Sequence, residues 1–278
     1  MKRSGDSLDA EHVFNLLHDD GRSLGERRRL VILMELFASL PEPRGASPLF
    51  PRYGEFRQAF LEACRGHDGE RLEERFLELY AHLHMHEAPY TRSERRRVDA
   101  TGGYWSHAGG LSPILKAGRW IRRNTRSVDL GAGNGLQALL TQKLSPHAHS
   151  CQIEISSAMV EIGRSLQGWL EIPEDRVEWR VGDVLETPLG GWNFVYLYRP
   201  VRPEGPGREF YRRLAHTLEE EPGEVVIFSI ADCLGEFLTP GFIRFYGDGH
   251  LTCYRKPPDL VGDVAMACSD DAATDSPR

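Results

Sequence analysis

An α/β fold is what the sequence predicts: a doubly wound, mostly parallel seven-stranded sheet with an antiparallel C-terminal hairpin, preceded by an all-helical N-terminal domain. Three observations carry that expectation. From residue 7 to about 87 the apolar residues recur with helical period and almost no β-rich run occurs; after Val98 short β-rich runs alternate with helical stretches. Near the end two strand-like runs, in "GFIRFYGDGHLTCYRKP", flank Asp248-Gly249, a pair suited to a hairpin turn because glycine accepts positive φ. The expected division is a helical cap or accessory domain over 1–97, the α/β domain over 98–256 and a disordered tail over 257–278, where no aromatic residue supplies a core.

Within the first part, Leu72, Phe76, Leu79 and Leu83 fall at intervals of four, three and four, which sets one apolar stripe on one helix face. Similar patterns over 8–17, 24–40 and 56–64 are separated by "DDGRS" and by the proline-rich "PEPRGASPLFPRYG". In the second part strands are expected at 127–130, 150–155, 177–181, 194–198 and 224–230, with helices at 136–144, 158–170 and 209–220. Strand and helix in alternation imply parallel pairing with helices on both faces.

Composition narrows the setting. The 278-residue chain carries a formal charge of -7, so no broad basic footprint for nucleic acid exists. "RSERRR" (92–97) reads as a solvated linker and "GRWIRRNTR" (118–126) as a helix face, and nucleic acid is not an expected partner. The five cysteines form no C-x-x-C pair, which fits a reducing compartment. The N-terminus turns acidic where a leader would be apolar, and "LVILMELFASL" is too short to span a bilayer, so a cytoplasmic protein away from membranes is expected. His82, His84 and His86 do not share one helix face, which points to a polar face and no metal site.

The chemistry concentrates in "SVDLGAGNG" (127–135). Alternating glycines after a strand and before a helix let a ligand approach the backbone and expose N–H groups at the helix start. The spacing of Gly131, Gly133 and Gly135 is G-x-G-x-G, whereas a dinucleotide fingerprint places its third glycine where Leu136 stands. Asp129 ahead of the turn would repel a pyrophosphate and suits a ligand with an ammonium group.

These residues resemble the first motif of the class I S-adenosylmethionine-dependent methyltransferases, and the resemblance covers about 104–256. It implies that Asp129 and the turn (Gly131, Gly133, Asn134, Gly135) hold the methionine part of S-adenosyl-L-methionine. It implies further that Glu154 at the end of strand two, beside Ile155, meets the ribose, and that Asp183 after strand three, beside Val184, meets the adenine amine. A reversed seventh strand also belongs to the family. "TGGYWSHAGGLSP", which precedes the first strand by about a helix, makes Tyr104 foremost, with Trp105 and His107, candidates for cofactor or substrate contact.

The acceptor is expected beside the loop after strand four, "FVYLYRPVRPEGPG". Relatives that methylate amines and amides often carry Asn/Asp-Pro-Pro-aromatic there; this chain has Tyr198-Arg199-Pro200, a departure that argues against nucleobase or glutamine-amide methylation. Tyr198 and Arg199 are the substrate-side candidates, the arginine suited to an anionic group, with Arg202 behind them. Small metabolites and protein side chains both fit, and no catalytic base is evident. Two other readings stay open: an aminopropyltransferase on the same sheet, which would want acids in that loop, and a non-catalytic S-adenosylmethionine-binding scaffold.

Overall fold

The computed structural model describes residues 8–17, 21–43, 49–84, 90–103 and 109–258. Tyr104, Trp105, His107, His86 and the tail from 259 onward lie outside the described residues. Six helices lead into the sheet among those described: α1 (Ala10–Leu16), α2 (Leu24–Ser39), α3 (Tyr53–Ala63), α4 (Gly69–His84), α5 (Arg92–Thr101) and α6 (Ser112–Ala117). There follow β1 (Arg126–Leu130), α7 (Leu136–Leu144), β2 (His149–Glu154), α8 (Ser157–Trp169), β3 (Val177–Val181), β4 (Phe194–Tyr198), α9 (Pro206–Glu220), β5 (Val225–Ile230), β6 (Ile243–Gly247) and β7 (Leu251–Lys256).

The seven strands form one sheet in the order β3-β2-β1-β4-β5-β7-β6. Strands β1 to β5 pair in parallel, while β7 is antiparallel to both β5 and β6. Successive residues of the central strands feed opposite layers, as a pleat with period two requires. Val195 and Leu197 of β4 pack with Phe210, Leu214 and Leu218 of α9, while Phe194 and Tyr196 face Phe228, Ile230 and Leu251. Burial on both faces explains why these strands read as continuous apolar runs.

The apolar stripe of α4 is completely buried: Leu72, Phe76, Leu79 and Leu83 are each 0 % exposed. Phe76 meets Phe37 of α2 edge-on and tilts against Phe60 of α3. That core is continuous with Leu136, Leu139 and Leu140 of α7 and with Met159, Leu166 and Trp169 of α8. Trp169 closes the junction, donating its indole N–H to the Pro41 carbonyl at 2.7 Å.

Two basic segments differ from their sequence reading. "RSERRR" is no linker; it opens α5, which has a capping box between Thr91 and Glu94 and ends on Gly102 at φ 62°. "GRWIRRNTR" is turn and loop running into β1, not helix, with Trp120 between the guanidinium groups of Arg119 and Arg255.

Candidate functional site

The sheet order reverses between β1 and β4, each the first neighbour of a different half, and a crevice opens outside the carboxyl ends of strands at such a point. A cleft of about 910 Å³, counted with its open mouth, lies there. Asp129, Gly131, Gly133, Glu154, Ile155, Asp183, Val184 and Tyr198 all line it, so most of the residues singled out in the sequence are brought together.

Asp129 is 2 % exposed, and no described donor bonds its carboxylate. Burial and then the nearby charge of Glu154 push its carboxyl well above the usual range. Glu154 is also buried, which raises its pKa, but both its oxygens are engaged: Oε2 accepts from the Gly133 N–H at 2.8 Å and Oε1 from the Ser156 N–H at 2.9 Å. Glu154 therefore holds the glycine turn in place as well as lining the cleft. Asp183 accepts from the Leu185 N–H at 3.0 Å and pairs with Arg97 of α5 at 2.9 Å.

The three turn glycines all sit at positive φ (82°, 58° and 67°), which residues with a Cβ adopt only under strain. Contrary to the sequence expectation, all of the turn's N–H groups but that of Asn134 are bonded within the protein and form no open cradle. Gly131 and Ala132 donate to the Ile153 carbonyl, Gly133 to Glu154, Gly135 to the Ala132 carbonyl, and Leu136 to the Asn134 side chain. Such a turn offers closeness to a ligand and little positive potential, which suits a ligand without phosphate.

Two turn residues expected at the ligand lie elsewhere. The buried Asn134 amide donates to the Leu83 carbonyl at 2.7 Å, tying the turn to the end of α4. Gly135 backs onto Trp179, whose ring would stand 2.5 Å from an added Cβ. Arg199 is likewise outside the cleft lining; it takes up φ 34° and lies near Cys233 and Tyr211 on the α9 side. The loop it leads turns Pro200 and Val201 to the cleft instead.

The lining also includes His84, Tyr90, Val98, Thr101, Gln137 and Tyr196, none foreseen as site residues. His84, Tyr90, Val98 and Thr101 come from the helical N-terminal part. Tyr196 stands on β4 two residues before Tyr198 on the same face, a signal by which it could have been found. Gln137 accepts from the Tyr80 hydroxyl at 2.8 Å. Burial pushes His84 down to about 4. Among the described residues no three metal-ligating side chains gather, and no helix is long and apolar enough to cross a membrane.

No family model and no curated protein matches the sequence. Solved structures resemble part of it. An RNA methyltransferase from Salinibacter ruber in complex with S-adenosyl-L-homocysteine is 22% identical over 55% of this chain and 93% of that one, with a TM-score of 0.40. TrmN from Thermus thermophilus is 16% identical over 52% of this chain, which spans only 48% of TrmN, at a TM-score of 0.39. A SAM-dependent methyltransferase from Agrobacterium tumefaciens is 10% identical over 55% of this chain and 64% of that one, at 0.40. At such scores these likenesses carry no argument; on its own sheet order, with the last strand reversed against its neighbours, the chain has the sheet expected from its resemblance to the class I S-adenosylmethionine-dependent methyltransferases.

Proposed function

We propose that the protein is an S-adenosylmethionine-dependent methyltransferase. The observation that carries the reading is Asp129: a buried carboxylate with no described donor, lining a cleft beside a turn most of whose N–H groups are already used. A carboxylate so placed is costly unless a cation meets it, and the α-ammonium of the cofactor is such a cation. When bound, S-adenosylmethionine supplies a methyl group activated by sulfonium. The chain's part is to receive the ammonium at Asp129, the ribose hydroxyls at the remaining lone pairs of Glu154 and the adenine amine at Asp183, and to exclude water around the acceptor.

Tyr196, Tyr198, Pro200 and Val201 form the wall of the cleft on the β4 side, where an acceptor would stand. No acid of that loop reaches the lining, which favours methyl transfer over aminopropyl transfer to a polyamine. The acceptor is a small molecule or a macromolecular side chain, and nucleic acid belongs in the screen. Arg92, Arg95, Arg96 and Arg97 are exposed on α5, and that helix, through Val98 and Thr101, borders the cleft. Calorimetry with S-adenosylmethionine, S-adenosylhomocysteine and NAD tests the cofactor; binding of NAD alone would overturn the reading. Formation of S-adenosylhomocysteine over a substrate panel separates an enzyme from a binding scaffold.

A further inference from the structure

His84 is the last described residue of α4, and it lines the cleft although α4 belongs to the helical part that precedes the sheet. Its position is fixed on two sides. The carbonyl of the preceding Leu83 accepts from Asn134 of the glycine turn, and one helical turn earlier the Tyr80 ring lies 5.5 Å from the imidazole. Tyr80 itself is close enough to Asp129 for that charge to disfavour its phenolate. His84 is thus held at the end of the cleft where Asp129 and the turn lie. Its Nδ1 is buried and has no hydrogen-bond partner beyond the residue's own backbone, an arrangement that costs free energy in a finished structure.

What that end must supply is a donor for an anion. An amino-acid ligand brings a carboxylate together with its ammonium, and Asp129 serves only the ammonium. Five of the turn's N–H groups, those of Gly131, Ala132, Gly133, Gly135 and Leu136, are used internally. No lysine or arginine is among the described residues lining the cleft. At this end the imidazole stands with the side-chain amide of Gln137, whose oxygen is taken by Tyr80, as a donor from the cleft lining. Tyr90, the other aromatic from the same part of the chain, lies near the charge of Glu154 instead, at the ribose end.

The geometry points to His84 as the residue that binds the carboxylate of the cofactor's amino-acid portion, so that the N-terminal helices complete the cofactor site and do not merely cover it. This rests on the reading of the cleft given above. The low pKa of the imidazole keeps it neutral and able to donate one N–H at physiological pH.

The test is calorimetric and needs no methyl acceptor. S-adenosylhomocysteine carries the amino-acid portion and 5′-methylthioadenosine lacks it. His84→Phe should weaken S-adenosylhomocysteine about tenfold or more, the usual loss for a hydrogen bond to a charged group, and leave 5′-methylthioadenosine within about twofold. His84→Gln, which keeps an N–H donor and guards against a folding defect in the first variant, should restore most of the affinity. Melting curves of the ligand-free variants report the fold separately. Equal losses for both ligands, or no loss for either, would overturn the role of His84. No binding of S-adenosylhomocysteine by the wild-type protein would instead overturn the reading of the cleft, and the assignment with it.

Discussion

Asp129 sits where the folded protein alone disfavours its ionised form. Its carboxyl is pushed up by burial, so the fold keeps this proton at pH values where the unfolded chain has released it. Below the unfolded value of about 3.9 both states are protonated and the group is neutral in the balance. As pH rises from there toward the folded value, stability falls. Asp129→Asn should therefore raise the melting temperature of the ligand-free protein near neutral pH and leave it almost unchanged below about pH 4. The same substitution should cost about 1.5–3 kcal/mol of S-adenosylmethionine affinity. In the wild type that affinity should climb with pH as the carboxylate ionises, and calorimetry across the range should show the climb lost in the variant. Glu154→Ala differs in kind, since it orphans the N–H groups of Gly133 and Ser156. It should cost about 1–3 kcal/mol of stability in denaturant unfolding as well as cofactor affinity.

Among the elements, α8 carries a glycine whose substitution has a diagnostic sign. Glycine to alanine inside a helix ordinarily gains about 0.5–1 kcal/mol. At Gly163 an added Cβ would collide with the Trp179 ring and stand 2.8 Å from the Asn134 carbonyl, and Trp179 is anchored by its bond to Gln167 at 2.8 Å. Gly163→Ala should therefore lower the midpoint of urea unfolding despite the better helix propensity, by about 1–3 kcal/mol. For α5 the expectation is local. Arg97, half-exposed, joins it to the largely buried Asp183 in a pair worth about 0–1 kcal/mol. Arg97→Ala should speed amide hydrogen exchange over 92–101 while the global melting temperature stays nearly constant. The sequence showed α7 and the five parallel strands almost residue for residue, because strands buried on both faces and a glycine-initiated helix announce themselves locally. It hid α5, whose residues are nowhere buried and leave no apolar stripe; only the Thr91-x-x-Glu94 capping box marked its start. Asp129, Glu154 and Asp183 were legible since each stands at or just beyond the end of a strand. His84 and Tyr90 were not, because their place depends on how the helical N-terminal part packs on the turn, and periodicity carries no record of that.

At the scale of the whole molecule, one apolar cluster runs from Val13 and Leu33 through Phe76 to Leu139 and Leu166, joining the N-terminal helices to the helices of the sheet. Unfolding should then be a single cooperative transition, with circular dichroism and tryptophan fluorescence tracing coincident curves; two separated midpoints would show independent units. The turn that opens α7 has a consequence for the protein in its surroundings. A loop that greets phosphate with free N–H groups also greets the inorganic phosphate and sulfate of any cell or buffer, and must be cleared of them before it can work. The turn between β1 and α7 has all of those groups but the Asn134 N–H bonded within the turn or to β2. Small oxyanions should pass it by, so that phosphate or sulfate added at constant ionic strength leaves cofactor binding unchanged, and the cleft is ready for its ligand without first giving anything up.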